Sequence, residues 1–96
     1  MLFLIHCTDK PGHAEVRKAN RAAHLEYARG FQDRMMVGGP TLGADGESMT
    51  GSVIIMEFPD IEAAHTFTRD DPYNQAGLFE SVVVRPMKKV LPEAPE

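Results

Sequence analysis

The chain has 96 residues, a hydrophobic fraction of 43% and a formal net charge of -4. That length fits one domain, taken as residues 1–91 with a C-terminal tail at 92–96, and buries about 60–65% of the surface of the unfolded chain, so association would help its core. The acidic balance excludes a nucleic-acid backbone as partner, because phosphate binding needs clustered Lys and Arg in excess.

Residues 1–5 are apolar but run at once into His6, Thr8, Asp9 and Lys10, too short and without the basic flank of a signal or membrane segment. They read as part of a first strand, residues 2–7, stopped by Thr-Asp-Lys-Pro-Gly. Cys7 is the only cysteine, which excludes an internal disulfide and fits a reducing, cytoplasmic location. No proline interrupts residues 13–34, where Val16, Ala19, Ala23, Tyr27 and Phe31 recur at helical spacing as one apolar stripe. Met35-Met36-Val37 predicts a brief strand broken by Gly38-Gly39-Pro40, with a loop around residues 43–46. Residues 52–58 are strongly β-forming, and Pro59-Asp60 ends them with Asp60 as N-cap of a second helix. That helix spans residues 61–70, since Pro72 disfavours helical geometry at the residue before it. Residues 81–90 read as the last strand, and a frayed tail follows from Pro92.

The order is β-α-β-β-α-β, the split βαβ arrangement called ferredoxin-like, with both helices on one face of a four-stranded antiparallel sheet. The other face should then be polar if it meets water. Instead Val53 and Ile55 oppose Ile54, Met56 and Phe58, and Leu2 and Leu4 oppose Phe3 and Ile5, so both faces are apolar. The simplest cover is the same face of a second copy, which predicts a homodimer, a dimeric α+β barrel.

On the first helix His24 falls at the edge of the stripe, beside Arg17 and near Arg21. An imidazole there takes protons near neutral pH, and two guanidinium groups suit an anionic or oxygenated ligand. The segment alone admits a second reading, a boundary histidine bonded to backbone with two solvated arginines. Asp70 and Asp71 end the second helix, where the macrodipole disfavours negative charge, so at least one should be used elsewhere. Asp71 also suits the N-cap of a short turn that Gly77 closes, and a capping carboxylate can still spare an oxygen for a histidine. Gly38 to Gly46 lacks the Gly-Lys-Ser/Thr ending of a phosphate loop and reads as a hairpin connection or pocket rim. His6, His13 and His65 lack metal-ligand spacing, so neither metal nor cofactor is expected. Ser52, at the start of the third strand, can offer a hydroxyl to a pocket.

Arg17-x-x-x-Arg21-x-x-His24-Leu25, Gly39-Pro40, Thr50-Gly51-Ser52-x-x-Ile55-x-Glu57-Phe58 and Asp71-Pro72-Tyr73-x-x-Ala76-Gly77 come in one order over nearly the whole chain. With the closing Val84-x-Pro86 and Lys88-Lys89-Val90, they resemble the YciI-like family. The resemblance implies a ferredoxin-like dimeric barrel, with His24 and Asp71 as an active-site dyad. One branch of that family holds a dehydrochlorinase of a chlorinated hydroxyquinol, which implies acid–base elimination without metal or cofactor. The expected function is therefore a lyase or isomerase acting on a small hydroxylated or carbonyl compound. In it His24 is general base, Asp71 orients it, and Arg17, Arg21 or Ser52 positions the substrate. A non-catalytic small-molecule-binding module is the alternative. A cofactor-free oxygenase, as in other dimeric α+β barrels, is disfavoured by the lack of Trp.

Overall fold

The computed structural model describes residues 1–93, in the order β1 (Leu2–Asp9), α1 (Ala14–Arg29), a 3-10 turn (Gln32–Arg34), β2 (Met35–Leu42), β3 (Met49–Glu57), α2 (Ile61–Asp70), α3 (Pro72–Gln75) and β4 (Phe79–Met87). The strands form one antiparallel sheet ordered β2-β3-β1-β4. This is the ferredoxin-like βαββαβ arrangement, an α+β fold. Among the described residues no helix is long and apolar enough to cross a membrane.

Alternation along β1 sends Phe3, Ile5 and Cys7 into the core, opposite Met56, Ile54 and Ser52 of β3. Ala64 and Phe67 of α2 cover them, and Phe58 joins the same cluster. An aromatic group closes one end: Phe67 meets Phe31 edge-on at 4.9 Å and lies 5.3 Å from Tyr27. The Tyr27 hydroxyl donates to the Phe67 carbonyl at 2.8 Å, which fixes α1 against α2. On the opposite face Leu2, Leu4, Val53 and Ile55 remain half-buried, and Val37 and Val83 are exposed.

Several expectations change. β1 continues past residue 7 to Asp9, which pairs with Phe79 of β4, and β3 starts at Met49 instead of residue 52, because β2 pairs with it from Leu42 opposite Met49, and it ends at Glu57. α1 ends at Arg29, where the Gly30 N–H tightens back to the Tyr27 carbonyl; only the 3-10 turn continues to Arg34. The buried face of α1 is rotated from the predicted stripe: Ala19 and Ala23 are exposed, while Arg17 and Ala28 are buried. β2 runs unbroken through Gly38-Gly39-Pro40, since β3 pairs with all three and an edge strand tolerates a proline without N–H. β4 starts and ends earlier than predicted, because its one neighbour, β1, pairs from Asp9 opposite Phe79 to Leu2 opposite Met87. α2 has the predicted bounds, with Asp60 accepting from the Ala63 N–H at 2.8 Å. The last three residues of the expected tail lie outside the described residues.

Gly51 pairs with Thr8 of β1, and a Cβ there would collide with the Cys7 carbonyl oxygen. Gly51→Ala is therefore expected to lower stability by about 1–3 kcal/mol, the usual range for overpacking. A urea midpoint equal to that of the natural chain would show that the β1–β3 ladder yields there.

Candidate functional site

Arg17 and His24 are seven positions apart, two turns of α1, so they lie on one side of the helix. Arg17 is 5% exposed, which a guanidinium tolerates only with a counter-charge. Asp9, at the end of β1, supplies it: Arg17 Nε donates to Oδ2 at 2.7 Å and Nη2 to Oδ1 at 3.0 Å, a two-pronged contact. Burial works against the Arg17 charge, but the Asp9 contact outweighs it and holds its pKa above the ordinary value. Nη2 also donates to the Ser52 hydroxyl at 3.0 Å. The guanidinium lies over the Tyr73 ring, 4.6 Å from its centroid.

Asp71 does two things at once. As N-cap of α3 its Oδ1 accepts from the Tyr73 N–H at 2.8 Å, with Pro72 at the first helical position. The same carboxylate lies 2.9 and 3.0 Å from His24 Nδ1. A carboxylate only accepts, so Nδ1 carries the proton and Nε2 is the ring nitrogen left for a ligand. The far end of α3 is closed by the Gly77 N–H to the Asn74 carbonyl and the Leu78 N–H to the Tyr73 carbonyl, with Gly77 at φ 74. This short helix holds the Tyr73 ring 4.1 Å from His24 and nearly parallel to it, at 13°. One carboxylate thus caps α3 and contacts His24.

These groups line a cavity of about 260 Å³ between α1 and the β2–β3 hairpin. Arg17, Arg21, His24, Ser52 and Tyr73 give its polar lining; Leu25, Ala28, Met35, Met49 and Ile54 give the apolar part. Gly38, Gly39 and Pro40 complete the β2 wall, with Arg29 and Gln32 from the end of α1 and beyond. Of the five side chains proposed from sequence, Arg17, Arg21, His24 and Ser52 line the cavity and Asp71 touches it only through His24, while Arg17 and Ser52 are bonded to each other. Sequence reasoning gave no role to Asp9, Tyr73 or Arg29, whereas Met49 ends the loop from Leu42 that it took as able to set the substrate. The signal for Asp9 was a lone carboxylate at a strand end, and Tyr73 stood in the quoted motif beside Asp71.

Cys7 lies beneath the site, and burial, reinforced by the Asp71 charge, pushes its thiol up to about 12. It stays a thiol near neutral pH and is no nucleophile. His6 and His65 are exposed on other elements, and His13 donates to the Pro11 carbonyl. Among the described residues no three His, Cys, Asp or Glu side chains gather as a metal-binding group.

The YCII-related domain matches residues 1–88. The chain belongs to the YCII-related family. Protein YciI of Escherichia coli is 38% identical over 97 aligned positions, which cover 94% of this chain and 99% of that protein. Among solved structures, 5-chloro-2-hydroxyhydroquinone dehydrochlorinase (TftG) of Burkholderia phenoliruptrix, in complex with 2,5-dihydroxybenzoquinone, is 46% identical with a TM-score of 0.87, covering 92% of this chain and 94% of that one. An antibiotic biosynthesis monooxygenase, 16% identical with a TM-score of 0.56 over 94% of this chain and 99% of its own, shares the fold.

In this YCII-related chain the cavity depends on a buried ion pair, which suggests a direct test. Asp9→Ala strands the Arg17 charge and is expected to cost about 3–5 kcal/mol of unfolding free energy. The double variant Asp9→Ala/Arg17→Met should recover a large part of the loss. Equal stability of Asp9→Ala and the natural chain, measured by urea denaturation, would show that water reaches Arg17 freely.

Proposed function

We propose that this chain is an acid–base enzyme of the lyase or isomerase type acting on a small hydroxylated or carbonyl compound. His24 is its general base, and Asp71 orients it. The observation that carries this reading is the two-point contact between His24 Nδ1 and the Asp71 carboxylate at the wall of a cavity. Nε2 takes a proton from the substrate, and the electron pair of that bond enters a new double bond. In an elimination the leaving group departs with the electron pair of its own bond; in an isomerisation an existing π bond breaks as the new one forms, and its pair takes the proton back at another atom. Asp71 stabilises the imidazolium formed in between, while Arg17, Arg21 and Ser52 fix the substrate oxygen. The 46% identity to a dehydrochlorinase supports a lyase-type reaction, since loss of hydrogen chloride is an elimination.

The test is turnover of 5-chloro-2-hydroxyhydroquinone and related hydroxylated rings by the natural chain and two variants. His24→Ala should lower kcat by about 10²- to 10⁴-fold, the usual contribution of a positioned base. Asp71→Asn should also lose activity while keeping α3, because Asn caps helices as well as Asp. Full activity in both variants would end the dyad reading. Binding without turnover by the natural chain would favour a ligand-binding module instead.

The partner we propose is a second copy, seated on the open sheet face. Leu2, Leu4, Val53, Ile55, Val37 and Val83 give that face an apolar patch beside His6, Glu57 and Arg85, more apolar than a lone sheet would show to water. Sedimentation equilibrium at micromolar concentration should give twice the 10.6 kDa chain mass, and Leu4→Glu should shift it toward one chain. A monomeric mass for the natural chain would remove this interface.

A further inference from the structure

Two glycines of this chain have a reason in the backbone: Gly77 adopts a positive φ, and Gly51 has the Cys7 carbonyl where a Cβ would stand. Gly38 has neither reason. It lies inside β2, pairs with Ile54 of β3, and its φ is not positive, so any residue can adopt its conformation. The irregularities of the β2–β3 register fall between Met35 and Val37 and between Thr41 and Leu42, so no bulge calls for a glycine at 38. Blunting of the exposed edge is supplied by Pro40, which lacks an N–H.

A side chain at this position also has room. An ideal Cβ would come within 3.6 and 3.8 Å of the Ile54 side chain and 3.9 Å of Met35 Sδ, ordinary van der Waals contact. Glycine inside a strand gives up packing and loses more conformational freedom on folding than any other residue. One that neither turn, bulge nor clash demands marks a close approach of the backbone to something else.

What approaches is set by the face. Ile54 is buried on the helix side of the sheet, and its partner Gly38 therefore presents the same side. Ile54, Met35 and Gly38 all line the cavity of about 260 Å³ beneath α1. A side chain at 38 would project into that space.

We propose that Gly38 is a specificity-determining residue of the cavity: its missing side chain lets the ligand rest directly on the β2 backbone, and the residue at 38 sets the largest molecule admitted. This deepens the proposed function and rests on it for the cavity as the place of the substrate. Gly38 takes no part in proton transfer. The His24–Asp71 contact is made by residues of α1 and the start of α3, so it stays in place when position 38 changes.

The test pairs stability with binding, using Gly38→Ala and Gly38→Val. Ala limits the unfolded chain and Val favours a strand, so the urea midpoint of each should equal or exceed that of the natural chain. Binding of phenol, 4-methylphenol and 4-tert-butylphenol, neutral molecules of rising size, is followed by amide chemical shifts. The natural chain should bind all three. Gly38→Ala should weaken 4-tert-butylphenol by about ten-fold, the usual effect of one carbon in a tight pocket, and Gly38→Val should reject it and weaken 4-methylphenol as well. Phenol should change by less than about three-fold in Gly38→Ala.

A urea midpoint for Gly38→Ala below that of the natural chain would show that the backbone itself demands the glycine, and would overturn the proposal. An unchanged order of the three phenols in both variants, or no binding of any by the natural chain at millimolar concentration, would do the same. A size limit that moves at position 38 while His24→Ala keeps full turnover upholds Gly38 and discards the catalytic reading alone. Turnover lost in His24→Ala with the size limit unmoved discards Gly38 alone.

Discussion

A guanidinium that cannot leave its place organises this molecule. Removing an arginine and a carboxylate from water costs several kcal/mol per ion, and only a tight, fully bonded geometry offsets it. Arg17 and Asp9 meet that condition, and in doing so they tie the first turn of α1 to the end of β1. Ser52 from β3 and the Tyr73 ring from α3 complete the enclosure, so four elements converge on one side chain. Through Tyr73 the constraint passes to His24, whose ring stacks on the Tyr73 ring.

Asp71 applies the same economy of parts to the chemistry. A capping carboxylate is already held by its own helix, so its second duty toward His24 costs little further ordering of the side chain. Cap, proline and closing glycine make α3 a local unit that is specified within seven residues. The histidine it must reach is 47 residues away in sequence. Only the packing of α1 and α3 at one end of the sheet brings the two together.

Legibility followed the same division. Elements with local punctuation could be read closely: α2 lies between a capping Asp60 and a proline, and its bounds came out as its sequence implies. The order of elements along the chain followed from this punctuation, and the two apolar faces from alternation. The face of α1 was less readable, because hydropathy counts Arg17 as polar and gives no hint that a buried Asp9 waits for it. Ala19 and Ala23 fit the period yet face outward. The extent of β2 was hidden too, since a Gly-Gly-Pro run signals a break unless a neighbouring strand is known to pair with it. His24 and Asp71 stood out as residue types suited to proton transfer. Tyr73 did not, because an aromatic beside a proline reads first as core.

The two sides of the cavity come from different kinds of structure. Its acid–base groups sit on helices locked by buried ions and caps, whereas Gly38, Gly39, Pro40 and Met49 belong to an exposed edge hairpin. Residues of the second kind can change size or polarity without loosening the first. Under the proposed function, selectivity is therefore free to drift while reactivity stays put, and one scaffold could be retuned to new molecules by altering a single strand and its turn.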